Sequence, residues 1–120
     1  MLKSIIEKLN TIAPCYSLET FNIDVALLNP IFLCVEIDEK ETIGRSSFIP
    51  LSIYLFFPVD AQVIQTKTKN AIIKMLHKRK LKKRESEGFI WIEFERATSS
   101  HVEKTVKKRY IHLFFRIPAV

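Results

Sequence analysis

Glycine is almost missing from this 120-residue chain: only Gly44 and Gly88 are present. A glycine-rich phosphate cradle or a dinucleotide fingerprint needs several glycines at fixed spacing, so nucleotide chemistry of that kind is excluded. Cysteine is equally scarce. Cys15 and Cys34 stand alone, without a CxxC spacing or a histidine neighbour, which argues against both a disulfide framework and a zinc site and leaves two small buried hydrophobes. Long apolar runs are also lacking. The longest nearly uncharged stretch, 48–59, contains two prolines and is too short to cross a bilayer. The N-terminus runs straight into an amphipathic pattern carrying Glu7 and Lys8, with no signal-peptide core. The expectation is a single domain over 1–120, made and kept in a cytoplasm, with no membrane partner and no cofactor.

What the chain does have is strict alternation. One set reads Leu33, Val35, Ile37; Ile49, Leu51, Ile53, Leu55, Phe57; Ile90, Ile92, Phe94; and Ile111, Leu113, Phe115, Ile117. The interleaved set reads Phe32, Cys34, Glu36; Ser52, Tyr54, Phe56; Phe89, Trp91, Glu93, Glu95; and Tyr110, His112, Phe114, Arg116. Strand side chains have period 2, so this predicts a four-stranded sheet with one aliphatic face. The second face is too aromatic for open solvent and too charged for a core, the composition of a surface that meets a partner.

Helical spacing of Leu2, Ile5, Ile6, Leu9 and Ile12 predicts a first helix that Pro14 closes. Residues 15–30 read as an irregular but ordered connecting segment, with room for a short turn of helix, held down by its apolar residues. Strands follow over 31–38 and 48–57, joined by a long polar loop. A main helix then opens at Pro58-Val59-Asp60, with Asp60 as N-cap and Ile64, Thr68, Ala71, Ile72, Met75 and Leu76 as its buried stripe. Residues 85–88 form its exit turn, and 89–96 and 110–117 supply the last two strands, separated by a long polar connection. The predicted fold is α+β: a two-layer sandwich in the order α-β-β-α-β-β, mostly antiparallel, with two helices packed on one face.

Charge is divided along the chain. Residues 1–60 hold four Lys/Arg against eight Asp/Glu, and residues 61–120 hold fifteen against five. The densest run, Lys67 to Arg84, has nine basic residues and no acid, with Lys78, Arg79, Lys80, Lys82, Lys83 and Arg84 at its end. Clustered cations are the footprint of phosphate contact, so one reading is a small basic nucleic-acid-binding domain using this run as a helix. The ordinary reading is a solvated helix face whose basic end matches the helix dipole. No aromatic residue is interleaved with these charges, as a base-stacking module would require.

Other constellations carry little chemistry. Glu93 and Glu95 are two apart and so share a strand face, which suits acid/base work or cation binding, but pairing with Arg116 or His112 accounts for them more simply. His77, His101 and His112 have no ligand partners at metal spacing, and Ser99-Ser100-His101 lacks an elbow motif. Catalytic and metal sites are therefore not expected. The loop holding Glu39, Glu41, Ile43 and Arg45 reads either as a plain turn or as a projection towards a partner.

The order of elements has a familiar shape. An N-terminal helix leads to a long-loop hairpin whose second strand ends Tyr54-Leu55-Phe56-Phe57-Pro58; a helix follows, then two strands, the last reading Tyr110-Ile111-His112-Leu113-Phe114-Phe115-Arg116-Ile117. This resembles the tail terminator, or tail completion, proteins of long-tailed bacteriophages and phage-tail-like particles. The resemblance covers most of the chain and rests on architecture, not on a signature motif. It implies a non-enzymatic subunit of a ring, typically hexameric, that caps the tail tube, stops its polymerisation and offers the joint to the neck or head. Implied partners are further copies of the chain, the tube protein, and sheath, neck or connector proteins, with DNA contact secondary. The implied location is the host cytoplasm during assembly and then the virion tail. Ring contacts of this type are heterologous and close by rotation. On that reading Tyr54, Phe56, Trp91, Tyr110 and Phe114 are the interface anchors. Glu93, Glu95 and Arg116 set register, and Glu39, Glu41, Ile43 and Arg45 are candidate contacts to the tube or a neighbour. The basic run is heavier than the family layout requires.

Overall fold

The computed structural model describes residues 2–37, 48–77, 80–82, 89–105 and 107–118. The candidate contact loop (Glu39, Glu41, Ile43, Arg45), the basic residues Lys78, Arg79, Lys83 and Arg84, and the expected exit turn 85–88 lie outside the described residues.

The elements are α1 (Leu2–Leu9), β1 (Cys15–Ser17), α2 (Ile23–Ala26), β2 (Phe32–Ile37), β3 (Phe48–Phe57), α3 (Gln62–Leu76), β4 (Lys80–Lys82), β5 (Phe89–Trp91), β6 (Glu93–Ala97), β7 (His101–Glu103) and β8 (Lys108–Pro118). The fold is α+β with a mostly antiparallel sheet. Among the described residues that sheet has six strands, not four: β1-β2-β3-β8-β6 in order, with β7 also paired to β8, while β4 and β5 form a separate two-stranded sheet. Only the β1–β2 pair is parallel.

Alternation places the core as expected. Leu33, Val35, Leu51, Ile53, Leu55, Phe57, Ile92, Ile111, Leu113, Phe115 and Ile117 are all buried in one cluster, roofed by Ile5 and Leu9 of α1 and Ile72 and Leu76 of α3. The long β3–β8 ladder runs from Phe48↔Pro118 to Phe57↔Arg109 without a slip. A one-residue slip would turn every aliphatic side chain outwards, so the dry face itself fixes the register.

Several expectations are corrected. The segment 15–30 holds the short helix that its reading allowed, α2, and also a strand, β1, that it did not. Asn10 Oδ1 accepts from the Cys15 N–H at 2.9 Å and steers the chain from α1 into β1. Asn22 caps α2, its side chain accepting from the N–H groups of Asp24 and Val25.

Asp60 is not the N-cap of the main helix. The Ala61 N–H donates to Pro58 O, closing a turn over Pro58–Ala61, so α3 starts after Ala61, which makes no side-chain cap bond. The buried stripe is likewise shifted. Ile72 and Leu76 are buried and Thr68 and Met75 half-buried, but Ile64 and Ala71 are exposed.

The basic run is not one helix. α3 ends at Leu76, where the His77 Nδ1 accepts from the Phe94 N–H at 2.9 Å and ties the helix end to β6. Lys80 and Lys82 lie on strand β4.

Finally, the expected strand 89–96 is broken at Ile92. β5 pairs with β4, and β6 pairs with β8. The polar connection beyond it carries a strand of its own, β7, whose turn into β8 places Lys107 at φ 54°.

Candidate functional site

The second face of the sheet holds a continuous row of rings, built because residues two apart on neighbouring strands fall side by side. Phe21 stacks on Phe32 at 5.9 Å between centroids, and Phe32 on Phe56 at 4.7 Å. Phe56 meets Tyr110 at 5.6 Å. Tyr54 stacks on its cross-strand partner His112 at 4.2 Å, and His112 on Phe114 at 3.7 Å. The row ends where the Arg96 guanidinium lies 3.9 Å from the centre of the Phe114 ring, a cation–π contact.

This row has a roofed half and an open half. Ala26, Phe32 and Cys34 form a small buried cluster, with Tyr16, Phe21, Ile23, Tyr54 and Phe56 packed against it. Part of the face that the sequence left for a partner is thus covered by the chain's own segment 16–26. Beyond that cover, Tyr110, His112 and Phe114 remain half-buried.

The interface candidates divide accordingly. Tyr54, Phe56, Tyr110 and Phe114 are brought together. Trp91 is carried by β5 in the two-stranded sheet, 44% exposed. Glu93 and Arg116 are register partners and form an ion pair, Nε to Oε2 at 2.9 Å. Glu95 does not share their strand position. Between the Phe94↔Phe115 and Arg96↔Phe114 pairs, β6 carries one extra residue, so Glu95 sits in a bulge and Arg96 takes the place that alternation assigned to it. Arg96 is therefore a site residue that the sequence reading missed. A bulge leaves no mark in the alternation before it; the hint comes after, where Arg96 falls in the phase of Ile90, Ile92 and Phe94 and Ala97 takes up the apolar face instead.

Electrostatics follow from packing. Burial first, then the nearby Arg96 charge, hold the His112 imidazole below its ordinary pKa. Its Nε2 is buried without a hydrogen-bond partner, so nothing stabilises an added proton there. Burial, then the Glu36 carboxylate, raise the Tyr54 phenol. Cys15 and Cys34 are free, buried thiols, each pushed up to about 12 by burial, as inert small hydrophobes should be. They fall into separate clusters, Cys15 in the main core and Cys34 on the aromatic face.

Among the described residues no group of three or more His, Cys, Asp or Glu could hold a metal ion, and no helix is long and apolar enough to cross a membrane. The arrangement can stack, pair charges and exclude water over an aromatic strip. Comparison with models of known protein families, with characterised proteins and with solved structures found no match.

Proposed function

We propose that this chain is a structural ring subunit of the tail-terminator type, capping the end of a tail tube and joining it to a neck or head. The observation that carries this reading is the open half of the second face. His112 and Phe114 stack, and Tyr110 joins them through a tilted contact with Tyr54; all three are half-buried, with Arg96 on the Phe114 ring and the Glu93–Arg116 ion pair on the same strands. Rigid aromatics at the centre with arginine and paired charge around them is the composition of protein–protein contact surfaces. The order of a strand pair, a helix and a terminal long strand supports the same reading. In it the partners are further copies of the chain in the closed, sixfold arrangement that the resemblance implies, together with tube and sheath or neck proteins, and the place is the virion tail. The reading assigns the chain no catalytic step.

Two measurements test it: solution mass by light scattering, and the length of purified tubes grown with and without the protein. The expected outcome is a multimer and arrested tubes, both lost in Phe114→Asp. A strict monomer that leaves tubes growing ends the reading. Binding to DNA that weakens steeply with salt and is lost on neutralising Lys80, Lys82 and Lys83 replaces it with the nucleic-acid reading.

A further inference from the structure

Two surfaces outside the aromatic strip are complementary to each other and lie on opposite sides of the sheet. On the aliphatic side, α1 and α3 leave a groove of about 350 Å³ between them, lined by Lys8, Ile12, Ala71, Lys74 and Met75. Its floor is apolar, its two charges are ammonium groups, and no carboxylate lines it. Residues 61–76 add Lys67 and Lys69 and contain no acid.

On the aromatic side, the corner around α2 has the reverse character. Val25 is 47% exposed and Leu28 82% exposed, beside the exposed carboxylates of Glu19 and Asp24. Residues 9–37 carry Glu19, Asp24 and Glu36 and no lysine or arginine; one cation that the structure ties to this segment is Lys108, whose Nζ donates to Pro30 O at 2.8 Å.

We infer that the α1–α3 groove receives the α2 corner of a second copy of this chain, the apolar knob of Val25 and Leu28 entering the groove while Asp24 and Glu19 face Lys74 and Lys8. The inference deepens the ring proposal and rests on it for the identity of the occupant. Because the sheet stands between groove and knob, no copy can fill its own groove. The two surfaces differ, so the contact is heterologous and each copy offers a free knob to the next, which is the condition for a ring. Charge of opposite sign steers the encounter and sets its polarity.

The experiment is charge reversal read by light scattering. Lys74→Glu and Asp24→Lys each place like charges across the contact, which should weaken self-association at least about tenfold. Both sites are exposed, so unfolding midpoints should stay at the wild-type value, separating lost contact from lost fold. Mixing the two variants pairs each altered groove with an altered knob, and each unaltered groove with an unaltered knob. Full mass should return on mixing and in neither variant alone. An assembly indifferent to both reversals, or one not restored by mixing, overturns the groove contact and leaves the ring proposal to the aromatic strip. A wild-type chain that stays monomeric overturns the contact too. Tube capping by the same sample is scored separately and decides the ring proposal on its own.

Discussion

The two faces of the main sheet are made from alternate residues of the same strands, yet they hold together by different means. On one face the side chains of β2, β3 and β8 are aliphatic or single phenyl groups, and two helices close over them until almost nothing is exposed. On the other face, one register position away, the row from Phe32 to Arg96 is ordered by ring stacking, and among the described residues the short segment 16–26 packs over part of it. The first face is stabilised by removal from water, which scales with buried area. The second is held by smaller directional contacts, each worth a fraction of a buried side chain. One strand thus fills the main core with its odd positions and builds the stacked row with its even ones.

The sharpest way to break this comparison is to truncate neighbouring phenylalanines of β8. Phe115 is buried in the main core and Phe114 is half-buried on the other face. Phe115→Ala should cost about 3–5 kcal/mol in denaturant unfolding, through lost transfer energy and the cavity left behind. Phe114→Ala should cost much less than that, since part of its ring already meets water. Equal losses would show that the second face is core as well.

A smaller effect sharpens the same contrast. Arg96→Ala should cost about 0.5–1 kcal/mol, the scale of a cation–π contact at an accessible site. A double-mutant cycle with Phe114→Ala should recover that amount as coupling. Zero coupling would mean that the 3.9 Å approach contributes no stability.

The smallest effect is a dependence on pH confined to the second face. The ordinary pKa of His112 is 6.5, and in the folded chain it lies lower. The unfolded chain therefore binds the extra proton first, so stability should fall as pH drops below about 6.5 and level off once the folded histidine is also protonated. Tyr54, Phe114 and Arg96 surround the imidazole, and none of them accepts its proton at neutral pH. His112→Phe keeps a ring in the stack and should flatten this stretch of the pH profile, measured by thermal unfolding. An unchanged slope would assign the titration to another group.

How much of this was legible in the sequence depends on length and repetition. β3 was read with its observed ends, 48–57, because ten alternating residues leave no second phase. The buried role of the odd residues of β2 and β8 was equally plain. β1 was not, since three residues cannot establish a period and its parallel partner lies across α2. Its pattern is nonetheless regular, with Cys15 in the main core and Tyr16 against the aromatic cluster. The cap at Asn22 was a readable signal, a short amide side chain before a four-residue helix, hidden by the lack of periodicity after it. The break at Ile92 was invisible because that residue keeps the core phase while its backbone passes from one sheet to the other. Of the aromatic row, Tyr54, Phe56, Tyr110 and Phe114 were among the named anchors, whereas Trp91 lies on the separate two-stranded sheet, and neither His112 nor its neighbour Arg96 was named as an anchor. For Arg96 the cause is the single extra residue at Glu95, which shifts the phase of everything after it.

That bulge has a consequence for how copies of the chain can meet. β6 is an outer strand of the main sheet, and an outer strand normally offers unpaired N–H and C=O groups that another strand can join. Here the bulge kinks that ladder, and the exposed Glu95 and Arg96 stand on it. At the opposite margin β1 has only three residues, too short a template to nucleate a new strand. Among the described residues, these two ends of the strand order therefore resist growth of the sheet by strand addition, the route that leads to open-ended fibres. In the proposed ring, contact would then fall to side chains on the faces, where geometry can fix an angle between copies and so limit their number.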